Sequence, residues 1–125
     1  MSLLYEKLSY ALRGMFFKIY NEVGPGFKEN VYAKALYSLL DENKVPYEKE
    51  KQFTINFKNT KIGVTQIDLV IDNKIIVEIK ATEINNSIFE KQMLSYLKST
   101  GLQLGFLVNF GTNKLYIRRY VSTKR

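Results

Sequence analysis

From Leu4 to Val23 apolar residues recur at helical spacing, at Leu4, Leu8, Leu12, Met15 or Phe16, and Ile19, and predict an amphipathic helix. The segment "GPG", Gly24 to Gly26, ends it, since glycine accepts the conformation of a helix stop and Pro25 cannot continue the ladder. A second helix is predicted over roughly Lys28 to Asn43, with Val31, Ala35, Leu36, Leu39 and Leu40 facing inward and Pro46 marking its exit. The apolar period then drops to two. "KEKQFTINF", ending at Phe57, reads as a strand, "KNT" as a turn, and "KIGVTQIDLVI" as a second strand with Gly63 as a bulge candidate. Asp72 and Asn73 are turn residues, and "KIIVEIKA" is the third strand. "SIFE", Ser87 to Glu90, has the form of a capping box and opens a helix that runs to about Thr100, where Gly101 stops it. "LQLGFLVNF" and "KLYIRRYV" are the last two strands, with a turn near Gly111 to Asn113.

The predicted order is α-α-β-β-β-α-β-β. A helix between the third and fourth strands makes a crossover, so those two strands are expected to be parallel. The expectation is an α/β fold with a mixed sheet of about five strands flanked by helices. A chain of 125 residues suits one domain, taken as 1–125, and neither a repeat nor a low-complexity tract divides it.

Composition narrows the chemistry. The chain has no cysteine and no histidine, which excludes disulfides, a zinc site of the usual kind, a thiol nucleophile and an imidazole base. An enzyme built from this chain works with Asp, Glu, Lys and Tyr, and those groups suit an oxygen-ligated ion such as Mg²⁺ or Mn²⁺. The formal net charge of +7 favours a polyanionic partner, nucleic acid first. The N-terminal stretch is broken by Glu6, Lys7 and Arg13 and lacks the apolar core of a signal peptide. No stretch approaches membrane-spanning length. A cytoplasmic protein is expected.

Charged residues interrupt the third strand. In "KIIVEIKAT", Glu78 and Lys80 stand among Ile75, Ile76, Val77 and Ile79. Side chains two apart on a strand share a face, so Glu78 and Lys80 project together, and Ile75, Val77 and Ile79 point the other way. Taken alone, such a pair reads first as a solvated ion pair on an edge strand. Asp68, ten positions earlier in "QIDLVI", changes the picture. If Asp68 lies opposite Glu78, two acids face each other and repel unless something positive lies between them. A divalent ion would do this, with Lys80 alongside. The pairing is symmetric about Asn73 and requires an odd loop such as Asp72-Asn73-Lys74, or a bulge. A two-residue turn would place Asp68 opposite Val77. Glu29 is a third acid and shares a helix face with Tyr32 and Leu36, although a glutamate in a first turn is also favoured by the helix dipole. Gln92 and Tyr96 share a face of the third helix at i and i+4, where a polar margin and an aromatic packed on the sheet are the ordinary reading.

Asp68 followed by Glu78-x-Lys80, in this order of elements, resembles the PD-(D/E)XK nuclease superfamily, with Ile67 where the name's proline would stand. Gln92-x-x-x-Tyr96 is similar to the Q-x-x-x-Y of the RecB-like exonuclease branch. More narrowly, "GPGFKENVY", "VEIKA" and "QMLSYLKSTG" resemble the small GxxExxY proteins, from about Leu8 to Val121. The resemblance implies a restriction-endonuclease-like fold and a hydrolase, a metal-dependent nuclease cleaving phosphodiester bonds of nucleic acid, DNA ahead of RNA. It implies Asp68 and Glu78 as ligands of Mg²⁺ or Mn²⁺, with the carbonyl of Ile79 as a further ligand. Glu29 would ligate a second metal or hold Lys80. Lys80 would position the attacking water, and Gln92 and Tyr96 would orient the substrate or the lysine strand. Lys114, Arg118 and Arg119 are candidates for contact with nucleic acid. A homodimer or a partner protein would enlarge the recognition surface. The alternative is a binding module that keeps the nuclease fold without turnover.

Overall fold

The computed structural model describes residues 5–122. Helices α1 (Glu6–Val23) and α2 (Glu29–Glu42) precede strands β1 (Tyr47–Phe57), β2 (Thr60–Ile71) and β3 (Ile75–Lys80). Helix α3 (Ser87–Thr100) crosses to β4 (Leu104–Asn109), and β5 (Tyr116–Val121) closes the fold. The sheet has five strands in the order β1-β2-β3-β4-β5, and β3 and β4 are its parallel pair. This is the α/β architecture the sequence predicts. Leu4, the expected start of the first helix, lies outside the described residues.

The sheet carries a core on each face. Leu12, Phe16 and Ile19 of α1 and Tyr32, Leu36 and Leu40 of α2 pack on Leu69, Val77 and Phe106. Met93 and Leu97 of α3 pack on Ile67, Val70, Ile76 and Leu107 of the opposite face. Such burial, at roughly 25 cal/mol per Å² of apolar surface, is what holds helices to strands. Val31, expected inward, is 37% exposed, and Tyr32 takes the inner position. The Tyr32 ring stacks on Phe110 at 4.6 Å between centroids. Its hydroxyl donates to the Gly24 carbonyl at 2.7 Å and accepts from the Phe27 N–H at 3.2 Å, which Val31 could not do.

Two local expectations are corrected. The N-cap of α3 is Asn86, whose side chain accepts from the Ile88 N–H at 3.0 Å, so Ser87 is the first helical residue and not a capping-box serine. The irregularity expected at Gly63 falls one residue earlier. The register steps from Ile55↔Gly63 to Asn56↔Lys61 and leaves Ile62 without a partner.

The β2–β3 register runs Leu69↔Val77, Val70↔Ile76, Ile71↔Ile75 and then stops. The connecting loop therefore holds Asp72, Asn73 and Lys74, the odd length the sequence requires, with Asp72 and Asn73 at positive φ. β3 is the central strand, so the edge-strand reading of Glu78 and Lys80 does not hold.

Candidate active site

The site forms where β2 and β3 part. Leu69 packs in the α1–α2 core and Ile67 in the α3 core, although residues two apart on a regular strand share a face. The strand therefore turns over at Asp68. The β1–β2 pairing passes from Lys49↔Leu69 to Lys51↔Ile67 and skips Glu50 and Asp68, and Glu50 has φ +53°. A non-glycine residue in that region marks a local distortion, here one that releases Asp68 from the regular ladder.

In place of ladder hydrogen bonds the two acids cap each other's strands. The Asp68 N–H donates to Glu78 Oε2 at 2.9 Å, and the Ile79 N–H donates to Asp68 Oδ2 at 2.9 Å. Both carboxylates thus turn into the gap between the strands. Asp68 Oδ1 and Glu78 Oε1 accept no hydrogen bond from the described residues. Glu78 is 4% exposed, which removes the solvated alternative.

Lys80 does not neutralise them. Among the described residues the ion pairs are Lys18–Glu22, Lys51–Glu48 and Lys74–Asp72, and none involves Lys80. Its ammonium lies 3.4 Å from Gln92 Oε1, a long contact, and 4.7 Å from the centroid of the Phe89 ring, both on α3. Burial, and next the Asp68 charge, pushes the Glu78 carboxyl up to about 8. Burial also raises Asp68, against the Ile79 N–H and Lys80, which favour its charged form. Glu29 is raised by partial desolvation, with Lys80 acting against it and Asp68 adding to it. Clustered acids with raised pKa values in a cleft are a functional signature.

The gap opens toward α2 into a cleft lined by Glu29, Ala33, Lys34, Tyr37, Lys49, Glu50, Asp68 and Ile79, about 330 Å³ in volume. Toward α3 it meets Gln92 and Tyr96. Tyr96 lies beside Thr65, and burial, then the Glu78 charge, raises its phenol. Asp68, Glu78, Lys80, Glu29, Gln92 and Tyr96 therefore gather around one gap, Glu29 from the α2 side and Lys80, Gln92 and Tyr96 from the α3 side. Lys114 lies just before β5, at the sheet end that holds Lys80, because Lys80 pairs with Asn109 and Asn109 with Tyr116. Arg118 sits two strands from Glu78 in the same row. Arg119, one residue on, faces away from Arg118, so the two do not line one path.

Sequence reasoning missed two residues. Glu50 enters the cleft through its irregular backbone, which no pattern signals. Asn109 is fully buried beside Lys80. Its Oδ1 accepts from the Thr82 and Gly111 N–H groups, and its Nδ2 donates to Thr82 Oγ1 and Asn85 Oδ1. It pins the loop that leaves Lys80. Gly111 belongs to the same arrangement, because a Cβ there would meet the Ala81 and Thr82 backbone at 2.6 Å. The signal for Asn109 was available: a lone amide ending the apolar run "LGFLVN".

The sequence model of the PD-(D/E)XK nuclease superfamily matches residues 6–120. The chain belongs to the PD-(D/E)XK nuclease superfamily. The crystal structure of SSO0001 is similar to it, with a TM-score of 0.57 and 25% identity, over 78% of this chain and 52% of that one. This chain thus spans about half the length of that relative. No curated protein sequence matches significantly. No helix among the described residues is long and apolar enough to cross a membrane.

Members of this superfamily typically use divalent metal ions. Among the described residues no group of three or more His, Cys, Asp or Glu side chains is assembled to hold one. The pair Asp68 and Glu78 nonetheless has the right chemistry. It offers one buried and one half-buried carboxylate, each with one oxygen held by a backbone N–H and the other without such a contact. Mg²⁺ is commonly held by one or two carboxylates, with solvent and substrate phosphate completing its octahedron.

Proposed function

We propose that this protein is a metal-dependent nuclease that hydrolyses phosphodiester bonds in nucleic acid, with DNA ahead of RNA and Mg²⁺ or Mn²⁺ as the ion. One observation carries the reading: half-buried Asp68 and buried Glu78 turn their carboxylates into one gap with no cation paired to either among the described residues. Two like charges in low dielectric are costly, and a structural role would be served better by apolar residues or by an ion pair with Lys80. Membership of the superfamily supports the same chemistry, and the likeness to the GxxExxY proteins narrows it.

Asp68 Oδ1 and Glu78 Oε1 are the oxygens that would hold the ion, with the Ile79 carbonyl as a further candidate. A divalent ion there supplies Lewis acidity and offsets the charge of the phosphate. The chain's own groups do the rest. Lys80, half-buried and steadied by Gln92 and the Phe89 ring, offers a positive charge to the phosphoryl oxygens as negative charge develops on them. Glu29 would hold Lys80 from across the cleft or ligate a second ion; partial desolvation raises its carboxyl, and the Lys80 charge acts against that shift. Tyr96 and Gln92 wall the α3 side. Lys114 and Arg118 serve as phosphate contacts.

The test is a cleavage panel of DNA and RNA, single- and double-stranded, with Mg²⁺, Mn²⁺ or chelator, run beside Lys80→Ala. Cleavage that needs the ion and is lost in the variant supports the reading. Binding without cleavage under every ion favours a module that keeps the fold without turnover.

A further inference from the structure

β2 pairs with β3 only through Leu69, Val70 and Ile71. From Asp68 back to Thr60 its sole strand partner is β1, so residues 51–66 form a two-stranded ribbon that projects beyond the sheet. The faces of this ribbon differ. Phe53 packs in the α3 core, and Ile55 and Thr65 line a groove with Gln92, Ser95 and Tyr96 of α3. On the other face Gln52, Thr54, Asn56, Val64 and Gln66 are all exposed. Gln52 pairs with Gln66, Thr54 with Val64 and Asn56 with Lys61, so these side chains form one continuous patch. Residues 51–66 contain Lys51, Lys58 and Lys61 and no acid. Gln66 also lines the cleft that holds Asp68 and Glu29, so the patch runs directly out of the candidate active site.

We propose that this uncovered ribbon face lies in the major groove of a DNA duplex, with Lys58 and Lys61 at its tip on phosphates. The major groove admits a two-stranded ribbon, and side-chain amides make paired hydrogen bonds to adenine N6 and N7 there. A patch of amides and a hydroxyl with one apolar residue has the chemistry of base edges, and lysines without acids have the chemistry of the backbone. From Asp68 to Thr60 a strand spans about 26 Å, so the ribbon covers about 8 base pairs to one side of the scissile phosphate. The position of that phosphate rests on the nuclease reading, whereas the groove contact does not.

The experiment is binding of a labelled 24-base-pair duplex, of the same duplex with 7-deazapurines, and of its single strands, by fluorescence anisotropy in chelator at several salt concentrations. Melting curves first show that the variants, all at exposed positions, remain folded. Lys58→Ala with Lys61→Ala is expected to weaken duplex binding at least tenfold and to reduce the salt slope by about 2. Removing purine N7 is expected to weaken the wild type severalfold and to leave Gln52→Ala with Gln66→Ala unaffected. Duplex binding by either double variant equal to wild type overturns the proposal, as does an equal loss on single strands. Cleavage of single strands with ribbon-independent duplex binding overturns it while the nuclease reading stands. Ribbon-dependent duplex binding with no cleavage under any ion supports it and removes the nuclease reading instead.

Discussion

The Asp68 N–H donates to the Glu78 carboxylate, and Asp68 in turn accepts from the N–H that follows Glu78, so each acid caps the other's strand where the two part. Each interaction satisfies a backbone donor that the sheet would otherwise orphan. Together they hold two carboxylates in one gap, with no cation paired to them. The fold accepts this arrangement at the end of its central strand, and the consequences are measurable.

Stability should depend on pH with an unusual sign. Burial raises the Glu78 carboxyl from an ordinary 4.5 to about 8, and Asp68 moves in the same direction. Between those values the folded chain holds more protons than the unfolded one, so stability falls as pH rises and levels off above the folded value. In chelator the melting temperature should drop from about pH 5 to pH 8, and Glu78→Gln should flatten the profile and melt higher at pH 8. A carboxylate stabilised by an ion pair would give the opposite slope.

Lys80→Ala should separate chemistry from binding. Lys80 forms no ion pair among the described residues, and it is one of 19 basic residues, so nucleic-acid affinity should change less than about threefold. Turnover should fall by about 100-fold or more, as expected when a group acts on the transition state alone. Single-turnover cleavage beside filter binding reads both quantities. Equal losses in the two would make the lysine a binding residue.

Tyr32→Phe should cost stability and spare the chemistry. The hydroxyl bonds the Gly24 carbonyl and the Phe27 N–H, and its loss leaves both without that partner. A penalty of about 1–2 kcal/mol is expected, or roughly 3–8 °C in Tm. Calorimetric melting tests it; a shift under 1 °C would show that the hydroxyl does not hold the turn before Glu29.

The sequence made the element order legible because each segment's apolar period agrees with its fold, and the odd loop at Asp72-Asn73-Lys74 followed from requiring Asp68 opposite Glu78. It put Glu78 and Lys80 on one face of the third strand and set Asp68 opposite Glu78 as a condition on the loop. The turn-over of β2 at Asp68 could not be read, since it depends on Glu50 entering a left-handed conformation, which glutamate rarely does and no pattern announces. The inward turn of Tyr32 in place of Val31 was hidden for a similar reason. Its stack on Phe110 joins segments 78 residues apart in sequence. The divergence of Arg118 and Arg119, by contrast, was available from strand alternation alone.

The most direct measurement is Mn²⁺ or Mg²⁺ binding by titration calorimetry at pH 8, where about half of the folded Glu78 carboxyl has already lost its proton. The pair predicts saturable binding of an ion by the wild type, raised melting temperature on loading, and loss of both in Asp68→Asn and in Glu78→Gln. Binding unchanged in both variants, or a wild type that binds neither ion and melts alike with and without them, would contradict a cation site at Asp68 and Glu78.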